Sequence, residues 1–359
     1  MNRALLAFSL MIGAISCSPV QNNLDLVVGT YGDHLYIYNF DCQTLEFTMK
    51  SQAEARNASY ALSYPGQILA VSEVGEGSGA YSYQVDNDMT AHMTADRRQT
   101  GADPCFVMVY DGHMMTADYS GGSVSVFPIE EGQIGELVEQ IRFEGKGPVE
   151  GIQESSHIHQ LKDIPDSEGY ILASDLGADA IRVLKINKVS GLRIEHITNV
   201  QCPAGSGPRH MEFNQNGSKL YCIAELSGEV LVYNISGSEE PQFELIQRIQ
   251  ADEVNAGGSA DIHMHPSGKW IYTSHRLEND GISIFKVNED GTLEKCGYAR
   301  TDRHPRNFMI TPDGKLLLVA CRDDRSVQVF RIEKDGTLTL TPSKLVLESD
   351  MPSSITAVR

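Results

Sequence analysis

Short apolar runs separated by polar, glycine-bearing breaks recur along this chain, and one unit appears seven times. It consists of an apolar strand, a tight turn and a second, alternating strand that ends in an aromatic or large apolar residue. The copies read DLVVGTYGDHLYIYNF, ILAVSEVGEGSGAYSYQV, MMTADYSGGSVSVFPI, YILASDLGADAIRVLKI, LYCIAELSGEVLVYNI, WIYTSHRLENDGISIFKV and LLLVACRDDRSVQVFRI. Their equivalent late positions are Tyr38, Tyr83, Phe127, Leu184, Tyr233, Phe285 and Phe330, at successive gaps of 45, 44, 57, 49, 52 and 45 residues. Such a period suits one four-stranded propeller blade per copy.

Another short strand precedes each copy, as in PCFVMVYDG, SHIHQLKD, PRHMEFNQNG, ADIHMHPSG and PRNFMITPDG. The turns at Pro266 and Pro312 carry Ser-Gly and Asp-Gly, and the glycine accepts the positive φ that tight turns demand. A fourth, outer strand follows, such as TLEKCGYAR, and seven near-equal copies close into a ring more naturally than they split into two packed sheets. The first copy, starting at Leu24, has no inner strand before it, whereas PSSITAV from Pro352 forms one with nothing after it. The pattern therefore predicts an all-β, seven-bladed β-propeller over residues 24–359, closed by N- and C-terminal strands that share one blade and remove an exposed edge.

Ahead of the propeller, Arg3 precedes the uncharged run ALLAFSLMIGAI, and small residues lead to Cys17. The run is shorter than the roughly 20 apolar residues that span a bilayer, so residues 1–17 read as an export signal. Ala-Ile-Ser-Cys resembles a lipoprotein acceptor, although Ala14 stands where leucine is commoner. Cys17 is the expected lipidation site, 18–23 the tether, and the cell envelope the expected location, with plain secretion as the alternative.

Composition narrows the function. A net charge of −19 excludes a nucleic-acid binder, whose phosphates call for surplus Lys and Arg, and membrane contact is expected only through the lipid. The many glycines and tyrosines accord with short strands and turns. Beyond Cys17, the six cysteines show neither CxxC nor zinc spacing, so no metal is expected from them, and they read as small buried hydrophobes. No glycine-rich phosphate loop stands between a strand and a helix, so no nucleotide cofactor is expected.

Candidate chemistry gathers where inner strands begin and the next strands end, because a propeller turns these points towards one mouth of its channel. Gly207-Pro208-Arg209-His210 enters one inner strand and Glu225 ends the strand after it, 16 residues beyond Arg209. An Arg–carboxylate pair there can hold an anion, orient a water, or simply close the channel. Of His157 and His159 only one is expected to face the channel, where a neutral imidazole serves as a general base, and the other to pack between blades. His263 and His265 repeat that pattern, Arg276 occupies the position of Glu225 one blade on, and His304-Pro305-Arg306 repeats the Pro-Arg turn. Matched Arg and His residues predict a basic mouth within an acidic shell, suited to a small carboxylate or phosphate.

GSGPRHMEFNQNGSKLYCIAEL, SHIHQLKD with YILASDLGAD, TSHRLENDGISIF and HPRNFMITPDGKLLLVACRDDRSVQVFRIEKDGTL resemble the blade signatures of the bacterial propeller 6-phosphogluconolactonases, a family similar in fold to the carboxymuconate cyclases. The resemblance covers essentially everything after residue 24 and implies metal-independent, cofactor-free hydrolysis of 6-phosphogluconolactone to 6-phosphogluconate. It implies catalytic roles for His159, Arg209, Glu225 and Arg276. The arginines would bind the anion and stabilise the oxyanion, and either Glu225 or His159 would take the proton from water. His157, His210, His263, His304 and Arg306 are the expected substrate contacts. The sugar-phosphate pathway is cytosolic whereas this chain carries an export signal, so another sugar lactone, or a non-catalytic binding propeller, is the alternative.

Overall fold

A computed structural model describes residues 22–188, 192–237 and 240–358; the expected export signal, Cys17 and most of the expected tether lie outside these. The strands, in chain order, are β1 (Asn23–Tyr31), β2 (His34–Asp41) and β3 (Phe47–Glu54), then β4 (Ala61–Tyr64), β5 (Gln67–Ser72), β6 (Gly79–Val85) and β7 (Ala91–Arg97). Next come β8 (Pro104–Tyr110), β9 (His113–Asp118), β10 (Ser123–Glu130), β11 (Gln133–Ile134) and β12 (Glu139–Arg142). They are followed by β13 (Ile158–Asp163), β14 (Tyr170–Asp175), β15 (Ala180–Asn187), β16 (Arg193–Gln201), β17 (Pro208–Phe213), β18 (Lys219–Ala224), β19 (Glu229–Ser236) and β20 (Gln242–Gln250). The last are β21 (Ser259–Met264), β22 (Trp270–His275), β23 (Gly281–Val287), β24 (Leu293–Arg300), β25 (Pro305–Ile310), β26 (Leu316–Cys321), β27 (Ser326–Ile332), β28 (Leu338–Val346) and β29 (Met351–Ala357).

These strands form seven antiparallel sheets, six of them running outward from the inner strand in chain order. In the third blade the outer position is split, with both β11 and β12 pairing with β10. That interruption and the long segment before β13 account for the 57-residue gap in the sequence period. The closing sheet has the order β29-β1-β2-β3, with Val28 opposite Ile355 and Val27 opposite Thr356, so both ends of the propeller complete one blade.

Burial explains the apolar pattern. The second strand of a blade is covered on both sides by neighbouring sheets, so β26 (LLLVAC) is buried throughout and reads as an unbroken apolar run. Outer strands stay largely exposed, as β16 does, where only Ile194 is buried. The apolar side chains form seven clusters, one for each contact between neighbouring blades. The late aromatics Tyr83, Tyr233, Phe127, Phe285 and Phe330 are among the largest fully buried side chains.

The inner strands carry the feature that matters for function. The pairing register slips between Pro104 and Phe106, Ile158 and Gln160, Pro208 and His210, and Pro305 and Asn307. In blade VI it slips between Ser259 and Ile262. A bulge leaves its extra residue unpaired and re-aims the side chain. The residues passed over are Cys105, His159, Arg209 and Arg306, together with Ala260 and Asp261. Blades III to VII, numbered by their inner strands β8, β13, β17, β21 and β25, therefore each present an unpaired residue at the same level.

Candidate active site at the channel mouth

Arg209 occupies the bulge of β17 and Glu225 directly follows β18, so strand, turn and strand bring them to one end of blade V. Arg209 Nε lies 2.7 Å from Glu225 Oε2, a charge contact outside hydrogen-bond alignment, and the guanidinium also donates to the carbonyl of Ala260. Arg276, which directly follows β22, places Nη2 3.0 Å from the other oxygen, Glu225 Oε1. One carboxylate thus bridges two arginines from adjacent blades. Burial pushes the Glu225 carboxyl up, but the charges of Arg276, Arg209 and Arg306 outweigh it and hold it below the usual carboxylate range. Burial also lowers Arg276, to about 10.

Gly207 sets this corner. It has φ +62, and its amide donates to Asp179 Oδ1 at 2.8 Å. A side chain there would meet Leu226, which is why the turn before Pro208 is built on glycine.

Arg276 Nη1 lies 3.2 Å from His304 Nε2. Burial and the surrounding arginines push His304 down to about 2, so its ring is neutral and Nε2 accepts from the guanidinium. Arg306 sits on the next bulge. Its guanidinium lies 5.1 Å over the ring of Tyr31, and among the described residues it has no hydrogen-bond or ion-pair partner. Tyr31 in turn donates to Glu73 Oε2 at 2.8 Å.

In the neighbouring blade, His159 is buried on the bulge of β13 and its Nδ1 has no hydrogen-bond partner among the described residues. Burial, then Arg209 and His210, keep it well below the ordinary imidazole range, so it is neutral. Its ring meets the edge of Tyr119 at 5.7 Å. His157 precedes the strand and stacks on Tyr119 at 4.4 Å, with Nδ1 2.9 Å from the Tyr119 carbonyl oxygen. Of this histidine pair it is therefore His159 that faces the channel.

Two expected substrate contacts lie one layer deeper than the sequence implied. His210 is buried beneath Arg209 with Nδ1 2.7 Å from Asp261 Oδ1. His263 is held further along the channel, with Nε2 3.0 Å from Asp261 Oδ2 and Nδ1 3.6 Å from Glu212. Burial works against its charge, but the two carboxylates raise His263 to about 10 and fix it as a cation outside the arginine cluster. In blades IV, V and VII the passed-over residues of the inner strands are His159, Arg209 and Arg306.

Glu73, Tyr119, Tyr31 and Cys105 belong to the mouth and were not identified from the sequence. Glu73 and Tyr119 directly follow β5 and β9, the position that Glu225 holds after β18, so blade alignment carried the signal. Cys105 is the bulged residue of blade III; burial first, then Glu73, raises its thiol well above the ordinary range, which leaves it unreactive. Among the described residues no group of three or more His, Cys, Asp and Glu is arranged to hold a metal.

The arrangement brings three arginines and two carboxylates from four blades to one opening, a local cationic excess in a chain of net charge −19. Comparison with known proteins places the chain in a family. The profile described as Lactonase, 7-bladed beta-propeller, matches residues 25–355. A 6-phosphogluconolactonase of Bacillus subtilis is 31% identical over 333 residues, 88% of this chain and 93% of its own. A 6-phosphogluconolactonase of Formosa agariphila is 35% identical over 241 residues, 65% of this chain and 68% of its own. A crystal structure of a candidate 6-phosphogluconolactonase from Bacteroides fragilis superposes with TM-score 0.89 at 36% identity, covering 95% of this chain and 99% of that one.

Proposed function

The chain belongs to the lactonase family of seven-bladed β-propellers, and from that premise we propose that it hydrolyses an anionic sugar lactone at the arginine cluster of the channel mouth. The observation that carries this reading is the contrast between Arg306, whose guanidinium has no hydrogen-bond or ion-pair partner among the described residues, and Arg209 and Arg276, which share the carboxylate of Glu225. Arg306 suits the carboxylate or phosphate of the substrate, since its planar fork of donors is held over Tyr31 with no hydrogen-bond or ion-pair partner among the described residues. Arg209 and Arg276 suit the oxygen that gains charge when water adds to the lactone carbonyl, because they are fixed before the reaction and largely screened from solvent.

Glu225 has both oxygens committed to arginines, which fits it for aligning them. The neutral imidazole of His159 is the group left to meet the attacking water. The addition forms one C–O bond and breaks the ring C–O bond, and the ring oxygen leaves as a hydroxyl. Arginine and imidazole supply the charge stabilisation and proton transfer, so the reaction as proposed uses neither metal nor cofactor. The phosphorylated six-carbon lactone named for the relatives is the first candidate substrate.

The test follows opening of 6-phosphogluconolactone and gluconolactone against the spontaneous rate. The expected result is a clear excess over the blank for wild type, with KM rising at least tenfold in Arg306→Ala and kcat falling by about 100-fold in Arg209→Ala. Wild-type protein no faster than the blank on either lactone rejects the proposal in favour of a binding propeller. We further infer export and lipid attachment at Cys17, supported by the apolar N-terminal run. Radiolabelled palmitate incorporation lost in Cys17→Ser is the expected outcome, and unlabelled wild type rejects it.

A further inference from the structure

Glu73 and Glu225 hold the same place in their blades, directly after β5 and β18, yet their surroundings differ. Both oxygens of Glu225 are committed to arginines. Glu73 Oε2 accepts from the Tyr31 hydroxyl at 2.8 Å, whereas Oε1 has no hydrogen-bond or ion-pair partner among the described residues and is open to solvent. The mouth therefore presents a half-buried carboxylate with one oxygen anchored and the other free to accept.

The anchor is built with some care. The side chain of Asn57 spans the ends of two strands: its Oδ1 accepts from the amide of Gly32, the residue after Tyr31, at 3.1 Å, and its Nδ2 donates to the carbonyl of Glu73 at 3.0 Å. The Glu73 amide returns a hydrogen bond to the Asn57 carbonyl at 3.0 Å. One residue thus fixes the end of β1 against the end of β5, and the tyrosine–glutamate pair is set before any ligand arrives. Burial, opposed by Arg306, holds the Tyr31 hydroxyl above its ordinary range, so it remains a donor. The same tyrosine carries Arg306 over its ring at 5.1 Å. Burial works against the Arg306 charge, and the fields of Tyr31, Glu73 and Glu225 outweigh it. Guanidinium donors and a carboxylate acceptor therefore stand on either side of one aromatic ring without forming an ion pair with each other.

We propose that Glu73, aimed by Tyr31 and Asn57, reads the hydroxyl groups of the substrate and restricts this mouth to polyhydroxylated lactones. This rests on the lactone-hydrolase reading and narrows its substrate class. A ring hydroxyl donates to Oε1 while the anionic group of the same molecule meets Arg306. An anionic lactone without hydroxyls brings Glu73 no donor and leaves a desolvated carboxylate beside a second negative charge. A site built to bind a hydroxyl discriminates steeply against the analogue that lacks it, because its own polar group is then left unpaired.

Calorimetric titration with gluconate and hexanoate separates hydroxyl recognition from anion binding, since the two carboxylates share a chain length and differ in their hydroxyls. Wild type is expected to bind gluconate more tightly than hexanoate by about tenfold. In Glu73→Ala, gluconate should weaken by about tenfold while hexanoate binds as well as before or better, because a repelling charge has gone. Damage to the fold would weaken both ligands alike. Tyr31→Phe keeps the ring beneath Arg306 and releases Oε2, so it repeats the test without removing the carboxylate, and the gluconate preference should fall by about threefold. In turnover of gluconolactone the loss in E73A should appear in KM rather than in kcat. No gluconate preference in wild type, or one left unchanged in E73A and Y31F, overturns the proposal, and lactone opening by wild type then leaves the hydrolase reading standing. Wild type that shows the preference and opens no lactone overturns the hydrolase reading alone. Wild type that neither prefers gluconate nor opens a lactone overturns both.

Discussion

Replacing Glu225 with glutamine isolates the charge balance on which the mouth depends. Arg209 and Arg276 are 2% and 6% exposed at their side chains, whereas Glu225 is 20% exposed, so the carboxylate is their chief counter-charge and water can replace it only in part. Removing one partner of a buried ion pair costs about 3–5 kcal/mol, since the charge left behind remains desolvated. Glutamine keeps the shape, so the loss is electrostatic. With an unfolding entropy of about 2.1 cal/mol/K per residue, a propeller of roughly 340 residues loses about 4–7 °C of Tm. The second arm of the prediction is rescue. A small anion that binds the mouth restores the missing charge, so phosphate or gluconate should raise the Tm of E225Q by more than it raises that of wild type, following the ligand concentration. Differential scanning calorimetry with and without 50 mM phosphate, at matched ionic strength, reads both arms. A variant that melts within 1 °C of wild type, or gains no more from phosphate than wild type does, would refute the claim that Glu225 neutralises two buried cations.

Other consequences follow from the same geometry. Gly207→Ala would carry its Cβ at φ +62 to 2.6 Å from Leu226, costing about 1–2 kcal/mol of backbone strain and shifting the Arg209 turn. Its kcat/KM should fall at least tenfold while the protein remains folded, and unchanged kinetics would show that the turn does not set the site. Cys105→Ala should keep activity within threefold, and iodoacetamide should leave wild type active, because the thiol is buried and protonated; rapid inactivation by the reagent at pH 8 would count against that. Stability should fall on acidification from pH 6.5 towards 4. The folded protein holds His210 at about 4, His275 at about 3 and His304 at about 2, all chiefly through burial, so the unfolded chain binds more protons in that window. Each such group contributes up to about 1.4 kcal/mol per pH unit, and Asp118, raised by burial to about 6, offsets one of them. His263, raised to about 10, acts in the opposite window: its contribution is present below pH 6.5 and is lost as pH rises towards 10. Urea midpoints that stay level from pH 7 to 5 would contradict this assignment.

The fold was legible because its signal is repeated and local. Seven apolar runs near a fixed spacing report strands covered on both faces, and the mismatch between Leu24 and the strand from Pro352 reports how the ring closes. The pairing of Arg209 with Glu225, and the place of Arg276, were legible for the same reason, since strand, turn and strand return to one face. Alternation along a strand could not reveal the bulges. An unpaired residue at Cys105, His159, Arg209 and Arg306 breaks the period of two, and His210 and His263 lie deeper in the channel than the sequence placed them. Blade registration would have exposed Glu73 and Tyr119, whereas Asp261 gave no sign, because its role comes from β17 and β25 reaching it from other blades. Local patterning therefore determined the sheets and their number. Only the tertiary structure decided which side chains share a charge, because that depends on which neighbouring strand each bulge faces and how far water is excluded there.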